Sequence, residues 1–168
     1  MGLLTQTDFQ TGIYQVSSSD QSSAELTESI DRIEDEILTD LLGIELKNAY
    51  DVGIAVLPTP DQKWLDLRDG KEYEDTPSGI TVEYKGFKDL LKPFTYSDFI
   101  KKMRTQNTAF GQSKIGARNS AKISKIEVLN ESKEAYNLGL SQYAQAERFI
   151  SENKDDYPNQ VFKRLYSK

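Results

Sequence analysis

Residues 23–43, SAELTESIDRIEDEILTDLLG, form the stretch that decides the fold of this chain. Its apolar side chains recur every three or four positions, which is the spacing of one face of an α-helix. They are Leu26, Ile30, Ile33, Ile37, Leu38, Leu41 and Leu42. Serine precedes the first turn and glutamates lie within it, as the positive end of a helix dipole favours. The stretch predicts an amphipathic helix that needs a second apolar surface to cover it.

Two further stretches repeat this helical period. In residues 86–104, Pro93 interrupts a broad apolar face, which predicts a kinked helix or two short ones. Residues 124–153 predict a longer helix that Asn153 ends, while Gly43 ends or bends the first helix region, residues 23–50. Because each helix has one apolar face, we expect the three to bury these faces against one another. The predicted core is Leu26, Ile30, Ile33, Ile37, Leu41, Phe87, Leu90, Leu91, Phe94, Phe99, Leu129, Tyr136, Leu140 and Tyr143.

A small β-hairpin is predicted in residues 62–84. Trp64 and Leu67 precede Asp69-Gly70, and an Asp-Gly pair tolerates the positive φ angles of a tight hairpin turn. Residues 80–84, ITVEY, either extend this sheet or lead into the next helix. The predicted fold class is therefore mainly α (α+β), a bundle of three principal amphipathic helices with a small hairpin and a long inserted loop.

The composition is that of one globular domain, residues 1–168, with 37% apolar and 29% charged side chains. Residues 1–22 form a polar N-terminal arm and residues 154–168 a short tail. The chain has no cysteine, hence no disulfide or thiolate metal site, and no histidine, the usual general base and transition-metal ligand. We expect a protein without catalytic residues, cofactor or metal, and outside the membrane.

Charge is unevenly distributed along the chain. Residues 1–84 carry 5 basic and 18 acidic side chains, a net charge of −13, whereas residues 85–126 carry 10 basic and 2 acidic ones, a net charge of +8. An acidic part and a basic part of this size can attract each other within one chain or between copies.

The basic part includes a long predicted loop, residues 105–123. Within its residues 105–122 there are only two large apolar side chains among many polar and glycine residues. Two such groups cannot offset an ordering cost of about 1–2 kcal/mol per residue, so we expect the loop to be mobile until a partner orders it. Its predicted apolar anchors are Phe110 and Ile115. The predicted contact residues on the basic side are Arg104, Lys114, Arg118 and Lys122. On the acidic surface of the next copy they are Asp31, Glu34, Asp35 and Glu36.

Two other functions fit parts of the sequence. Basic and amide side chains in residues 101–122 are suited to phosphate contacts, which favours a small nucleic-acid-binding or regulatory protein. Against this, the whole chain is acidic and Phe110 is the only base-stacking ring of the segment. Carboxylates at Glu34 and Glu36 are suited to the acid-base chemistry of a cell-wall-degrading enzyme. Because they lie on the polar face of an amphipathic helix, we expect a solvated surface instead.

The order of these segments resembles that of head-to-tail connector (adaptor) proteins of tailed bacteriophages, in particular the crAss-like phages of gut Bacteroidales. The resemblance extends over residues 4–159. It lies in ILTDLLG (37–43), KWLDLRDGKEY (63–73), YKGFKDLLKPFTYSDFIKKMRTQNTAFGQ (84–112) and a long helix ending in YPN (157–159). The predicted hairpin departs from the usual helical connector.

The resemblance implies a structural virion protein of the neck, at the head-tail interface, made in the host cytoplasm. Such subunits are similar in forming a homo-oligomeric, twelvefold ring beneath the portal protein. The implied partners are further copies of the chain, the portal, and other neck or tail ring proteins. Genome DNA would pass through the lumen during packaging and ejection without sequence-specific binding. In such rings a long loop inserts into a neighbour, a role that residues 105–122 fit.

Overall fold

The chain is mainly helical with one small antiparallel hairpin, which confirms the predicted α+β class. The computed structural model describes residues 2–16, 24–56, 58–105, 125–158, 160 and 162–166. None of the helices in these ranges is long and apolar enough to cross a lipid bilayer. After a 3-10 turn at Gln6–Phe9, the elements are α1 (Ala24–Ile54), α2 (Gln62–Asp69), β1 (Lys71–Asp75), β2 (Ile80–Tyr84), α3 (Gly86–Thr105) and α4 (Lys125–Glu152).

Helix α1 is kinked at Gly43, as the sequence predicted. Gly43 has φ 70° and ψ 164°, a conformation outside the helical region, and a second helical segment follows it. Glycine adopts a positive φ without the steric cost that a Cβ atom would add. The two segments of α1 can therefore point their apolar faces in different directions.

The hairpin lies later in the chain than the sequence predicted. Residues 62–69 form α2, and Gly70, with φ 92°, ends that helix instead of turning a hairpin. Both roles need a positive φ, so the Asp69-Gly70 pair carries the same local signal for either. Strands β1 and β2 pair from Lys71 with Tyr84 to Asp75 with Ile80. The stretch ITVEY is thus the second strand.

Helices α3 and α4 are each continuous. Pro93 lies inside α3 without dividing it, so the two-helix interpretation was wrong. Helix α4 ends where predicted, and Asn153 caps its last turn through two hydrogen bonds to one carbonyl oxygen. The backbone N–H of Asn153 donates to Phe149 O at 3.2 Å, and its side-chain amide donates to the same oxygen at 2.8 Å.

The chain divides into two compact units, and α1, α3 and α4 contribute residues to both. Unit 1 comprises Met1–Glu34, Leu91–Gly139 and Ser167–Lys168. Its core combines large side chains from α1 and α3 with a small-residue face of α4. A Cβ atom on Gly139 would lie 2.9 Å from the ring of Phe94, so the absence of a side chain at Gly139 leaves room for this ring. The buried apolar side chains of its helices are Leu26, Ile30, Ile33, Leu91, Phe94, Tyr96, Phe99, Ile100, Val128 and Ala135.

Unit 2 comprises Asp35–Leu90 and Leu140–Tyr166. Its core is aromatic, with Phe149 in ring contact with Tyr73, Tyr84 and Tyr157. Two tyrosine hydroxyls donate to backbone carbonyls, Tyr84 to Leu67 O at 3.0 Å and Tyr157 to Lys63 O at 2.7 Å. Further core rings are Tyr50, Trp64 and Phe87, and the predicted core residues Ile37, Leu41, Leu90 and Tyr143 are also buried here.

The prediction of which face of α4 is buried is partly wrong. Leu129 is 40% exposed, and Tyr136 and Leu140 are only half-buried. Small side chains occupy the buried face in this part of the helix, namely Ser132, Ala135 and Gly139. Because small residues carry little hydrophobic signal, the period of the large side chains indicated a different face.

Candidate assembly surfaces

The acidic side chains of residues 31–36 have different surroundings. Asp31, Asp35 and Glu36 are exposed, whereas Glu34 is half-buried. Asp35 already faces a cation of its own chain, since Lys47 Nζ lies 3.2 Å from its carboxylate. The four predicted contact residues therefore do not form one uniform acidic surface.

Glu34 holds the N-terminal arm. Its carboxylate accepts the backbone N–H of Leu3 at 2.8 Å and that of Leu4 at 3.4 Å. The arm also buries Leu3, Leu4, Phe9 and Val16, so part of this arm, which the sequence analysis described as polar, belongs to the core. This role was missed because donor and acceptor lie 31 positions apart in sequence.

The pKa of Glu34 reflects this half-buried place. Burial disfavours the carboxylate and raises the pKa, while the hydrogen bonds from Leu3 and Leu4 lower it in part. The pKa of Glu34 therefore lies above its usual value. A carboxylate engaged by the arm in this way is poorly placed to meet either a second copy or a cell-wall substrate.

Lys102, one of the cations considered for nucleic-acid binding, belongs to an ion network in unit 1. Its Nζ lies 3.2 Å from Glu28 and 3.6 Å from Asp98, and Arg32 also pairs with Asp98. Burial is the largest single influence and raises the pKa of Asp98, but the hydrogen bonds and the positive charges around it, those of Arg32 foremost, together lower it by more, so the pKa lies below its usual value. This cation is therefore used within the fold.

The other contact residues predicted in the basic segment lie outside the part of the chain whose side chains the structure describes. The backbone of Arg104 lies in α3, but its side chain is outside the described part of the structure. The loop residues Phe110, Lys114, Ile115, Arg118 and Lys122 also lie outside the described residues. Their contacts stay predictions.

The hairpin is fixed to α4 through a buried carboxylate. Asp75, at the end of β1, accepts a hydrogen bond from Ser78 Oγ and pairs with Arg148 of α4. The hydrogen bond from Ser78 is the main cause of a pKa of Asp75 below its usual value, and Arg148 lowers it further. Asp75 therefore has a structural role that its sequence position did not indicate.

A cleft of about 430 Å³ lies at the base of the hairpin. Its lining is charged, with acidic and basic side chains interleaved, so it suits water or a charged group better than an apolar ligand. No group of three or more His, Cys, Asp or Glu that could hold a metal ion is found in the described ranges. The lining residues are Asp69, Gly70, Lys71, Glu72, Glu83, Tyr84, Lys85 and Asp89.

Large aliphatic side chains are exposed on two helices. On the second segment of α1, Ile44 is 70% exposed and Val52 is 71% exposed. On the first turns of α4, Ile126 is 69% exposed, beside the exposed Leu129. The predicted core included Leu129, so the structure reveals a surface that was missed.

The elements together define a small, mainly helical α+β protein with a hairpin between α2 and α3. Residues 38–161 match a family of unknown function, DUF6712, and the chain belongs to that family. No curated protein and no solved structure matches the chain.

Proposed function

We propose that this protein is a structural subunit of a tailed-phage virion, a head-to-tail connector that forms a ring beneath the portal and extends the DNA channel. The observation that carries the proposal is the pair of exposed aliphatic surfaces on α1 and α4. Single exposed apolar side chains are normal, whereas exposed apolar side chains that lie next to one another mark a contact with another protein, and Ile126 and Leu129 lie next to one another, one helical turn apart.

The surroundings of the charged residues favour a protein partner over nucleic acid. Lys102 is held by Glu28 and Asp98, which reduces the positive surface available for phosphate contacts. The sequence resemblance to phage connectors supplies the place of assembly, and the helical fold is compatible with it.

The test is imaging of the virion neck. Virions of the phage that encodes this chain are purified, and the chain carries a peptide label at its C-terminus. We expect mass spectrometry to find the chain in virions, and averaged images to place the label in a ring between portal and tail. As a control, the same label on a non-virion protein should be absent from purified particles. Normal infectivity of a phage in which the chain is interrupted by a stop codon would refute the proposal.

A further inference from the structure

The first exposed surface lies on the second segment of α1. At about 100° and about 1.5 Å per residue, Val52 lies about 80° around the helix and about 12 Å along it from Ile44, and about 20° around from Glu45, so the three fall within an arc of about 100°. All three are exposed, and Glu45 has no ion-pair partner among the described residues. We call these three residues the α1 surface.

The second exposed surface lies at the start of α4. Ile126, Leu129 and Lys133 follow one another at spacings of three and four, which again places them on one side. Lys133 is exposed and, within the part of the chain that the structure describes, lacks an acidic partner. We call these three residues the α4 surface.

We propose that the α1 surface of one copy binds the α4 surface of the next copy. This inference rests on the proposed ring. The two surfaces match in chemistry, because each has two aliphatic side chains and one unpaired charge, Glu45 on one and Lys133 on the other. Contact would remove the aliphatic groups from water and pair the two charges.

A second copy of this chain is the occupant that these surfaces favour. The two surfaces are different, so their contact is heterologous. Such a contact gives a ring where the rotation between copies closes and an open filament where it does not, and the proposed ring is the closed case. Every copy also carries one α1 surface and one α4 surface, so the two are present in equal number. Each surface is small compared with a stable interface of about 1,200–2,000 Å², so one contact is weak and closure of the ring strengthens it.

The test uses two variants that each lose one surface. Val52→Asp disables the α1 surface and Ile126→Asp disables the α4 surface. We expect the wild-type protein to associate with rising concentration in sedimentation velocity, and each variant alone to stay monomeric. An equimolar mixture of the two variants should form a 1:1 dimer and nothing larger, because one intact surface of each kind remains.

Leu138→Asp is the matched control, since Leu138 is 44% exposed on α4 but lies away from the α4 surface. This variant should associate as the wild type does. Glu45→Lys should weaken association about two- to fivefold, and adding Lys133→Glu to the same chain should restore it. Circular dichroism confirms that each variant is folded.

Three results overturn the inference: a mixture of the two variants that stays monomeric up to millimolar concentration, dimers of either variant alone, or a wild-type chain that stays monomeric up to the same concentration. These results leave the proposed function standing if the chain is found in the virion neck. Conversely, association as expected by a chain that is absent from virions refutes the neck location alone.

Discussion

The cores of the two units differ in the extent of their ring contacts. Among the described residues, unit 1 has separate ring pairs, Tyr14 with Tyr96 and Phe94 with Tyr136, whereas unit 2 has a connected aromatic cluster. In unit 2, rings contact rings, and Phe149 alone touches three of them. In unit 1, small hydroxyl residues lie where α3 and α4 meet, and Ser97 Oγ donates to Ser132 O at 2.8 Å. Rings contribute large apolar areas, whereas small polar residues let helices approach closely but bring polar atoms that need partners.

Because of this difference, we expect the two units to tolerate different amino-acid substitutions. The energy of an aromatic cluster is concentrated in a few large side chains, so the loss of one ring removes many contacts at once. Where α3 and α4 meet in unit 1, the change in stability on removing a hydroxyl depends on whether that hydroxyl had a hydrogen-bond partner. Three predictions test this comparison, and they follow in order of decreasing effect on stability.

Replacing Phe149 by alanine should have the largest effect. Phe149 is 1% exposed, and its loss leaves a cavity among three rings. We expect the free energy of unfolding to fall by about 3–5 kcal/mol, measured by urea denaturation. Tyr166→Ala, at a 70% exposed position of the same unit, should change it by less than about 0.5 kcal/mol. A loss below about 1 kcal/mol for Phe149→Ala would show that the aromatic cluster is not the main support of unit 2.

In unit 1, two hydroxyl deletions should have unequal effects. Ser97→Ala removes the bond to Ser132 and should cost about 1 kcal/mol. Thr95 Oγ1 is also buried, yet it has no hydrogen-bond partner among the described residues. Thr95→Val, which keeps the shape, should therefore be neutral or stabilising in the same urea experiment. If Thr95→Val costs more than Ser97→Ala, the hydroxyl of Thr95 has a partner and the comparison fails.

The smallest effect concerns pH and the arm of unit 1. The pKa of Glu34 lies above its usual value, so the folded chain holds this proton more tightly than the unfolded chain. The contribution to stability is present below about pH 4.3, the unfolded value, and is lost as pH rises through the folded pKa. Glu34→Gln keeps an acceptor for Leu3 without this loss. We expect the urea midpoint of the wild type to fall relative to that of Glu34→Gln between pH 4 and pH 7, and the opposite trend would show that the arm stabilises the charged form.

Much of the fold was accessible from local sequence patterns. The three long helices, the break at Gly43 and the end at Asn153 each depend on apolar period or on a residue with a distinct backbone preference. The position of the hairpin was not accessible in this way. Gly70 satisfies a helix end and a tight turn equally well, and only the packing of Trp64 and Leu67 into unit 2 decides between them.

The candidate surfaces were less accessible. Leu129 was predicted to lie in the core because its spacing is helical, yet the buried face of this part of α4 is formed by Ser132, Ala135 and Gly139. The role of Glu34 depends on where the arm folds back, which no local pattern encodes. On α1 the sequence indicated contact residues at 31–36, which stay a prediction, and it did not indicate the exposed Ile44 and Val52 beyond Gly43.

One further consequence follows from the two glycines at the base of the hairpin. A Cβ atom on Gly70 would lie 2.3 Å from Tyr84 O, and one on Gly86 would lie 2.7 Å from Gly70 N, so the two backbones touch. The main chain therefore enters and leaves the hairpin at nearly the same point. In terms of architecture, residues 71–85 are an insertion whose removal would hardly change the path from α2 to α3. The hairpin is thus inserted into the main-chain path at a single point, while its side chains Tyr73 and Tyr84 join the core of unit 2.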